Sequence, residues 1–350
     1  MELKDKAINI NITTLTIFKI ILIFLLLYFL FLIKDILALL FISLILSSAI
    51  DPSVDWMQQK KIPRAVGVLA IYLVMLVIVG SVIYLIIPPI AVEVSNISQK
   101  FPQYLEKITS GYSFLKQYSA DHGFLNNIKE LLGSTTSNLQ NAVGGVFTTI
   151  SGVFGGILSF FLVLVLTFYM VVEENALKKL VWSIAPPKHQ PYIMNLVNRM
   201  QKKIGLWLRG QLILSLIIFL MAYAGLLILR VDNALVLALI AGLTEFIPYL
   251  GPIIGSVPAI FLAFTQSPIL ALFVFILYYV IQQFEGNFIV PKVMQKTVGL
   301  NPIVSISVLL IGFNLAGIVG ALLSIPVATA ASVFINDMFE NKAGSEFIDQ

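Results

Sequence analysis

The sequence predicts an all-α, polytopic membrane protein with about eight membrane segments, two of which are broken or re-entrant helical hairpins. Hydrophobic residues make up 59% of the 350 residues and charged residues only 11%, whereas soluble domains average roughly 25% charged residues. Apolar runs recur along the chain, and several reach the ~20 residues that a helix needs to cross a ~30 Å hydrocarbon core. There is no cysteine, which excludes disulfides and thiolate metal sites.

The predicted segments divide the chain into six regions. Simple spans are expected at 17–33, 36–50, 66–88, 146–172, 209–229 and 268–288, and interrupted apolar stretches at 233–266 and 302–335. A turn at Lys34–Asp35 should separate the first two spans, of which the second is short. The expected regions are an N-terminal three-span region (1–90), an extracytoplasmic amphipathic segment (91–145), a fourth span (146–172), a cytoplasmic basic amphipathic segment (173–208), a transport core (209–336) and a cytoplasmic tail (337–350).

The distribution of Lys and Arg predicts the orientation in the membrane, because cytoplasmic loops are enriched in both. The segment 173–209 is rich in them and contains only two acidic residues, and the short loop before the third span contains Lys60, Lys61 and Arg64. By contrast, the segment 91–145 balances four basic residues against four acidic ones. We therefore expect both termini on the cytoplasmic side of the membrane.

Two loop segments have a helical period of apolar residues. In the outer segment, Ile97, Phe101, Tyr104 and Ile108 recur at threes and fours, which predicts a small helical hairpin over the membrane. In the inner segment, the apolar face is Ile193, Leu196, Val197, Met200, Ile204 and Leu208. That helix is expected to lie flat on anionic headgroups and to turn into the next span at Arg209. Packing onto another subunit or loop is an equally open alternative.

The stretch GLTEFIPYLGPIIG, residues 242–255, interrupts the most apolar third of the chain. Pro248 and Pro252 lack a backbone N–H and disfavour helical geometry in the residues before them. The apolar segments on either side are each too short to span a membrane comfortably. Because unwound backbone at membrane depth is tolerated only where it is buried in protein or lines a wet cavity, this break is a candidate cavity wall.

The two interrupted stretches also resemble each other. LGPIIGSVPAIFLAF in the first is similar to VGALLSIPVATAASVF in the second, with Ser256-Val257-Pro258 matching Ser324-Ile325-Pro326. If both are re-entrant hairpins, they enter from opposite sides of the membrane, as in many secondary transporters. A pair of full spans in each stretch leaves the topology of the remaining chain unchanged, so charge counting does not separate the two arrangements.

Few charged residues fall within the apolar half of the chain. An ionisable group at bilayer depth is costly unless it is paired or hydrated, so Glu245 is a candidate for cation, proton or solute binding. The structural alternative is that Glu245 pairs with Arg209 or another basic group and holds two spans together. Glu285 lies in a polar cluster with Gln282, Gln283 and Asn287, for which a solvated helix end is the alternative.

Other chemistry finds no support in the sequence. The spacing of Gly251 and Gly255 is more typical of close helix packing than of substrate contact. Nucleotide-binding and zinc-protease motifs are absent. We therefore expect no enzymatic activity, cofactor, metal or nucleic-acid partner.

Four blocks of the sequence form a recognisable set. They are LWLRGQ (206–211), AGLTEFIPYLGPIIGSVPAI (241–260), QQFEGNFIVPKVMQKTVGLNPIVSISVLLIG (282–312) and LAGIVGALLSIPVA (315–328). These blocks resemble the signature motifs of the AI-2E family, the autoinducer-2 exporter family of bacterial membrane proteins, which implies a location in the bacterial inner membrane. The resemblance is close in the second half of the chain and extends to the layout of the first half. It implies transport: members are associated with export of the small polar signal autoinducer-2, and others with sodium or lithium extrusion in exchange for protons.

The resemblance maps family motif positions onto Arg209, Gly210 and Gln211, onto Pro248, Tyr249, Gly251 and Pro252, and onto Glu285, Gly286, Asn287, Pro291, Gly299, Leu300 and Pro302. At Thr244-Glu245 the chain departs from the pattern, since small or amide residues are common there in relatives. A family-wide role for Glu245 is therefore in doubt, and the residue instead suggests a proton- or cation-coupled branch.

Three functional hypotheses follow. The first is a secondary transporter that exports a small polar solute, the second a sodium(lithium)/proton antiporter, and the third a non-transporting membrane scaffold. The expected partners are a small polar solute or a monovalent cation or proton, the lipid bilayer, and further copies of the chain in a homo-oligomer. The expected substrate path comprises Arg209, Gln211, Glu245, Pro248, Tyr249, Gly251, Pro252, Gly255, Pro258, Gln282, Gln283, Glu285, Asn287, Pro291 and Asn314.

Overall fold

The computed structural model describes residues 14–109, 156–173, 179, 181–183, 185–294 and 301–346, and within them the chain is helical with no strand. The helices are α1 (Thr14–Leu32), α2 (Lys34–Gln59), α3 (Arg64–Thr109), α4 (Ile157–Val172), α5 (Gln190–Ile228), α6 (Ala234–Thr244), α7 (Gly251–Gln266), α8 (Pro268–Phe284), a π-helical turn (Glu285–Ile289), α9 (Val290–Met294) and α10 (Pro302–Glu346). The prediction of a polytopic all-α membrane protein is confirmed.

Six helices of the described residues are long and apolar enough to cross a membrane. These segments are Thr14–Leu32, Lys34–Gln59, Arg64–Ile86, Gln190–Ile228, Pro268–Met294 and Pro302–Met338. Three shorter apolar helices, Leu158–Val172, Ala234–Thr244 and Gly251–Gln266, accompany them. The two predicted interrupted stretches therefore coincide with α6 and α7 in one case and with α10 in the other.

The junction between α1 and α2 differs from the predicted turn at Lys34–Asp35. Helical hydrogen bonds continue across it, from Ile33 N–H to the Phe29 carbonyl (3.1 Å) and from Leu37 N–H to the Ile33 carbonyl (3.0 Å). The chain bends at Ile33 instead of forming a loop. The second predicted span was also too short, because α2 continues through Pro52 to Gln59. A proline removes one helical hydrogen bond, and the packing of Ile50 and Val54 on either side of Pro52 holds the helix there.

The helices α2, α3 and α4 form a small N-terminal core. Ile50 and Val54 of α2, Val68 of α3 and Val171 of α4 are its buried members. Arg64, the first residue of α3, fixes the same helices from one end, because it contacts Asp51 and Asp55 of α2 and donates to the Val171 carbonyl at 2.9 Å. These packed helices lie beside α5, whose Gly205 is in close contact with the Ser48 carbonyl of α2.

The outer amphipathic segment does not begin with a separate hairpin. Helix α3 continues without interruption from Arg64 to Thr109, so the residues with a helical period belong to the far end of a long helix. The helix continues through Pro88, Pro89 and Pro102, although each proline removes one helical hydrogen bond. The remainder of the predicted hairpin, 110–145, and the start of the predicted span at 146–155 lie outside the described residues.

The predicted turn at Arg209 is wrong. Helix α5 is a single element of 39 residues from Gln190 to Ile228, about 58 Å long at ~1.5 Å per residue. Arg209 is accommodated within it, since its Nε donates to the Gly205 carbonyl one turn earlier (3.1 Å). The basic amphipathic segment and the following span are therefore one continuous rod.

The C-terminal core is built by α5, α6, α7 and α8. Alanines dominate its centre, and Ala222, Ala238, Ala259 and Ala263 are completely buried. Small side chains let helix backbones approach closely, which replaces the hydrophobic driving force that is missing between helices in lipid. Two left-handed residues, Arg230 (φ 56) and Asn233 (φ 55), make the tight turn from α5 into α6.

Helix α10 is a second hairpin and not one rod. Ala316 (φ −143, ψ 25) and Gly317 (φ 58, ψ −140) are non-helical, and they divide it into a first arm, 302–315, and a second arm, 318–346. The arms meet through two glycines: a Cβ atom on Gly312 would lie 2.4 Å from the Gly320 carbonyl oxygen. The chain therefore reverses at Gly317, the kind of backbone position where glycine is favoured. At its base, Asp337 contacts Tyr192 and Arg199 of α5.

Candidate functional site

The site begins at the tip of the first hairpin, between the end of α6 at Thr244 and the start of α7 at Gly251. The tip is held by short hydrogen-bonded turns, with Leu250 N–H donating to Pro248 O (2.8 Å) and Gly251 N–H to Ile247 O (2.7 Å). Tyr249 adopts φ 66, a left-handed conformation that costs a bulky residue free energy and is enriched at functional sites.

The glycines of this hairpin pack its two arms together. A Cβ atom on Gly251 would lie 2.3 Å from the Thr244 carbonyl oxygen, and one on Gly255 would lie 2.8 Å from the Ala241 Cα atom. Both positions therefore require glycine for close approach, in agreement with the packing interpretation of their spacing. The equivalent contact in the second hairpin is made by Gly312 and Gly320.

Helix α5 satisfies backbone carbonyls that the end of α6 leaves without helical partners. Gln211 is buried, and its Nε2 donates to the Glu245 carbonyl. One turn further along, the Ser215 hydroxyl donates to the Gly242 carbonyl. Because the last carbonyls of a helix have no partner within the helix, these two side chains stabilise the break and fix the backbone that carries the Glu245 side chain.

Glu285 is placed by a local defect in the helix that follows the core. The residues Glu285–Ile289 form a π-helical turn between α8 and α9, in which the extra residue per turn redirects the side chains that follow. Such turns are frequent at functional sites. Asn287 lies on the exposed side of the turn and donates to the Gln283 carbonyl at 2.9 Å.

Glu245 and Glu285 meet inside the protein. Their side chains are only 2% and 6% exposed, and the two carboxyl groups are close enough to hydrogen-bond to each other. One oxygen of each, Oε2, is buried and has no hydrogen-bond partner within the described part of the chain. Two acidic groups without a basic partner are unusual in a protein interior, because a buried charge is costly unless it is paired.

Glu245 and Glu285 both line a cavity of about 520 Å³. Its walls come from α5, the tip of the first hairpin, the end of α8 with the π-helical turn and α9, and both arms of the second hairpin. The lining residues are Trp207, Gln211, Leu214, Glu245, Pro248, Tyr249, Gln282, Glu285, Gly286, Val290, Pro291, Met294, Pro302, Ser305 and Ile325. Amide, hydroxyl and carboxyl groups thus converge in an otherwise apolar chamber.

The structure brings about half of the expected path residues to this cavity. Gln211, Glu245, Pro248, Tyr249, Gln282, Glu285 and Pro291 line it. The residues that do not line it are Arg209, Gly251, Pro252, Gly255, Pro258, Gln283, Asn287 and Asn314. Gly251 and Gly255 pack helices instead, and Asn314 is exposed near the bend of the second hairpin, at the opposite end of the first arm from the cavity.

The alternative that Glu245 pairs with Arg209 is wrong. The Arg209 guanidinium is directed along α5 towards Gly205, and within the described residues no basic side chain forms an ion pair with Glu245. The alternative of a solvated helix end is wrong for Glu285, which is buried, whereas Gln282, Gln283 and Asn287 are exposed.

Several cavity residues were not expected from the sequence. Ser305 is a buried hydroxyl in an apolar arm, and a polar residue within an apolar run is a signal that could have identified it. Trp207, Met294 and Ile325 are ordinary apolar residues whose position at the cavity depends on how the helices pack. No sequence pattern distinguishes them from core residues.

Both interrupted stretches are helical hairpins in the structure. The arms of the first contain 11 and 16 residues, about 16 and 24 Å at ~1.5 Å per residue, which is shorter than a ~30 Å hydrocarbon core. The first arm of the second, 302–315, is similarly short. This geometry favours hairpins over pairs of full spans. Their insertion from opposite sides of the membrane stays a prediction.

The chain is similar to known transport proteins. Residues 18–340 match the family described as "AI-2E family transporter". YrrI of Bacillus subtilis (strain 168), named as a transport protein, is 29% identical over 305 residues, which cover 87% of this chain and 86% of YrrI. YueF of the same organism, also named as a transport protein, is 28% identical over 287 residues, covering 79% of this chain and 78% of YueF.

A more distant relative has a more specific name. The sodium-lithium/proton antiporter of Halobacillus andaensis is 23% identical over 304 residues. The matched part covers 81% of this chain and 84% of that protein. These similarities extend over most of each chain, so they concern the whole architecture and not a single motif.

Proposed function

Because the chain belongs to the AI-2E transporter family, we propose that it is a secondary transporter that exports a small polar solute, such as autoinducer-2, through the cavity between its two hairpins. It is a multi-pass bacterial membrane protein. The observation that carries the proposal is the cavity itself: it lies beside a helix break, and both hairpins contribute to its walls.

The size and chemistry of the cavity suit a small solute. Its volume of about 520 Å³ is within the ~300–1,000 Å³ of typical ligand pockets and far exceeds the space that one ion needs. Gln211, Gln282 and Ser305 offer donors and acceptors, while Trp207 and Leu214 supply apolar contact. A polar solute is the class of molecule that such a mixed lining orients best.

Alternating access requires that the walls separate on one side at a time. The second hairpin is suited to this movement, because its arms are packed on each other through Gly312 and Gly320. The arms can therefore move together as one body. The chain reverses at Gly317, and among the described helices the hairpin's main packing partner is α5, which Asp337 contacts at the base. In this proposal the second hairpin is the moving wall and the first hairpin, packed within the C-terminal core, is the fixed one.

The test is uptake of labelled autoinducer-2 by proteoliposomes that contain the purified chain. We expect faster uptake than in protein-free vesicles. Gly286 lines the cavity, and a Cβ atom added to it would meet no other atom within 4 Å, so Gly286→Trp should fill the chamber and abolish uptake. The matched control is Gly80→Trp on α3, outside the cavity, where an added Cβ atom would also meet no other atom within 4 Å. Uptake equal to that of empty vesicles counts against this cargo, and normal uptake by Gly286→Trp counts against this route.

A second candidate function is sodium(lithium)/proton antiport. The specific observation in its favour is the pair of buried carboxyl groups in the cavity, and the relative from Halobacillus andaensis is named for this activity. Glu245→Gln should then abolish sodium-driven proton flux in the same vesicles. Unchanged flux in that variant would remove the basis of this candidate.

The proposed orientation places both termini in the cytoplasm. Exposed basic residues lie at the helix ends that this orientation assigns to the cytoplasm, and they include Lys60, Lys61, Lys188 and Lys292. Since the chain contains no cysteine, Lys188→Cys introduces a single thiol. We expect a membrane-impermeant maleimide to label it only in inside-out vesicles; labelling in intact cells would reverse the orientation.

A further inference from the structure

The strongest unexplained feature is that two acidic side chains from separate elements meet in one cavity. Glu245 follows α6 at the tip of the first hairpin, and Glu285 begins the π-helical turn after α8. Both side chains are more than nine-tenths buried. Both residues line the cavity, and each keeps a buried Oε2 atom without a hydrogen-bond partner among the described residues.

The described surroundings supply no positive charge to this pair. Helices α6, α7 and α8 contain no Lys or Arg. On α5 the neighbouring base is Arg209, which is directed towards Gly205, and on α9 Lys292 is exposed. In the second hairpin the first arm has no charged residue, and Asp337 at its base is engaged by Tyr192 and Arg199.

The remaining titratable groups around the pair are tyrosines. Tyr249 lines the cavity at the tip of the first hairpin, and Tyr278 of α8 is buried with a hydroxyl that has no partner among the described residues. A phenol is neutral at physiological pH. Neither tyrosine therefore offsets a carboxylate charge.

Electrostatic repulsion prevents the two carboxyl groups from being ionised together unless a proton or another cation is bound. Two carboxylates in contact in an apolar cavity repel each other strongly, and like-charged neighbours of this kind share one proton instead of both being ionised. A hydrogen bond between two carboxyl groups likewise requires that one of them is protonated. A small cation bound between them would neutralise the same charge and thereby replace the proton.

The cavity provides the ligand atoms that an alkali cation prefers. Such hard cations are bound by oxygen, and the carboxyl oxygens of the pair are joined in the lining by the hydroxyl of Ser305 and the side-chain amide of Gln282. The adjacent hairpin tip is unwound backbone, and broken helices commonly contribute carbonyl oxygens to sodium sites in transporters.

We propose that Glu245 and Glu285 together form one site for a single monovalent cation, at which a proton and an alkali ion are alternative occupants. Binding is then an exchange: the alkali ion enters between two carboxylates, the shared proton leaves to water, and the net charge of the pair stays the same. This inference rests on the proposed transport function, because it assigns the coupling ion of the same cavity.

The experiment is a proton-release measurement on purified full-length protein in detergent, in weak buffer with a pH indicator. Adding sodium or lithium chloride should release about one proton per chain, while choline chloride at equal ionic strength should release none. Glu245→Gln and Glu285→Gln should each abolish the release. Asp232→Asn, at an exposed acid in the turn before α6, should leave it unchanged.

The outcomes separate this inference from the transport proposal. Absence of cation-dependent proton release by the wild-type protein overturns the inference, whatever the solute uptake. Release that persists in a folded Glu245→Gln or Glu285→Gln protein also overturns it, with folding checked by size-exclusion chromatography and thermal unfolding. Proton release without solute uptake supports the ion site and counts against the solute.

Discussion

The N-terminal and C-terminal halves of the molecule differ in whether their buried ionisable side chains have oppositely charged partners. In the N-terminal half, Arg64 is only 11% exposed and is fully engaged, with contacts to Asp51 and Asp55 and hydrogen bonds to the Gln58 side chain and the Val171 carbonyl. In the C-terminal half, Glu245 and Glu285 are more deeply buried and contact each other without a basic partner in the described structure.

This difference separates a structural use of charge from a functional one. A buried charge with a complete set of partners stabilises the arrangement of helices around it, whereas an incompletely paired one costs stability and persists because it serves another purpose. The two halves should therefore respond with opposite signs when their charges are removed. Single substitutions in each half test this contrast.

Arg64→Met should give the largest effect. The substitution leaves Asp51 and Asp55 without their counter-charge and frees the Val171 carbonyl, and we expect the free energy of unfolding to fall by about 3 kcal/mol. Reversible unfolding in mixed micelles measures this loss, with the exposed Lys60→Met as the matched control. A loss no greater than that of the control would remove Arg64 from the structural side of the comparison.

Gln211→Leu should be the next most harmful. The change removes the donor to the Glu245 carbonyl at the end of α6, and a buried acceptor left without a partner costs about 1–3 kcal/mol. The exposed Gln266→Leu serves as the control in the same unfolding assay. A smaller effect than this range would indicate that water replaces the amide, and that the hairpin tip does not depend on α5.

Glu245→Gln should have a smaller effect of opposite sign. Replacing a poorly partnered buried carboxyl by a neutral amide of the same shape should raise the free energy of unfolding by about 1 kcal/mol, as is common when strained functional residues are removed. Transport or proton release should be lost at the same time. A Glu245→Gln protein that is destabilised as much as Arg64→Met would break the comparison, because the carboxyl pair would then be structural.

Lys179→Ala should have the smallest effect. Lys179 forms an ion pair with Glu173, but both side chains are well exposed. Exposed pairs of this kind contribute about 0–1 kcal/mol, so we expect a change below about 0.5 kcal/mol that disappears at high salt. A larger effect on the free energy of unfolding that persists at high salt would show that exposed ion pairs in this protein also contribute to stability.

The sequence could predict a large part of the fold because its signals are local. Pro248 and Pro252, only four residues apart, disfavour a continuous helix between them, and the break lies where they predict it, whereas the single Pro52 is accommodated within α2. The elements that were predicted wrongly depend on neighbours. Whether α5 turns at Arg209 depends on neighbouring helices, because α5 packs on α2 through Gly205 and binds the end of α6 through Gln211.

The sequence could identify single residues of the candidate site, but it could not predict which of them lie together in the cavity. Glu245 and Glu285 stand out because carboxylates are rare in apolar segments, and both are in the cavity. Asn314 was also expected in the substrate path, yet it is exposed near the bend of the second hairpin, at the opposite end of the first arm from the cavity. Ser305 was overlooked, although it is the buried hydroxyl that this hairpin contributes to the lining.

By itself, the sequence determined that this chain lies in a membrane as helices, that two of its apolar stretches are interrupted, and which rare polar residues are buried at a cost. Composition, proline and glycine fix these properties through short-range backbone geometry and transfer free energy. Only the tertiary structure decided that Glu245 meets Glu285 and that Arg209 stays apart from them. Those relationships depend on how closely Gly251, Gly255, Gly312 and Gly320 allow helix backbones to approach, and this is a property of packed pairs of helices that no single segment contains.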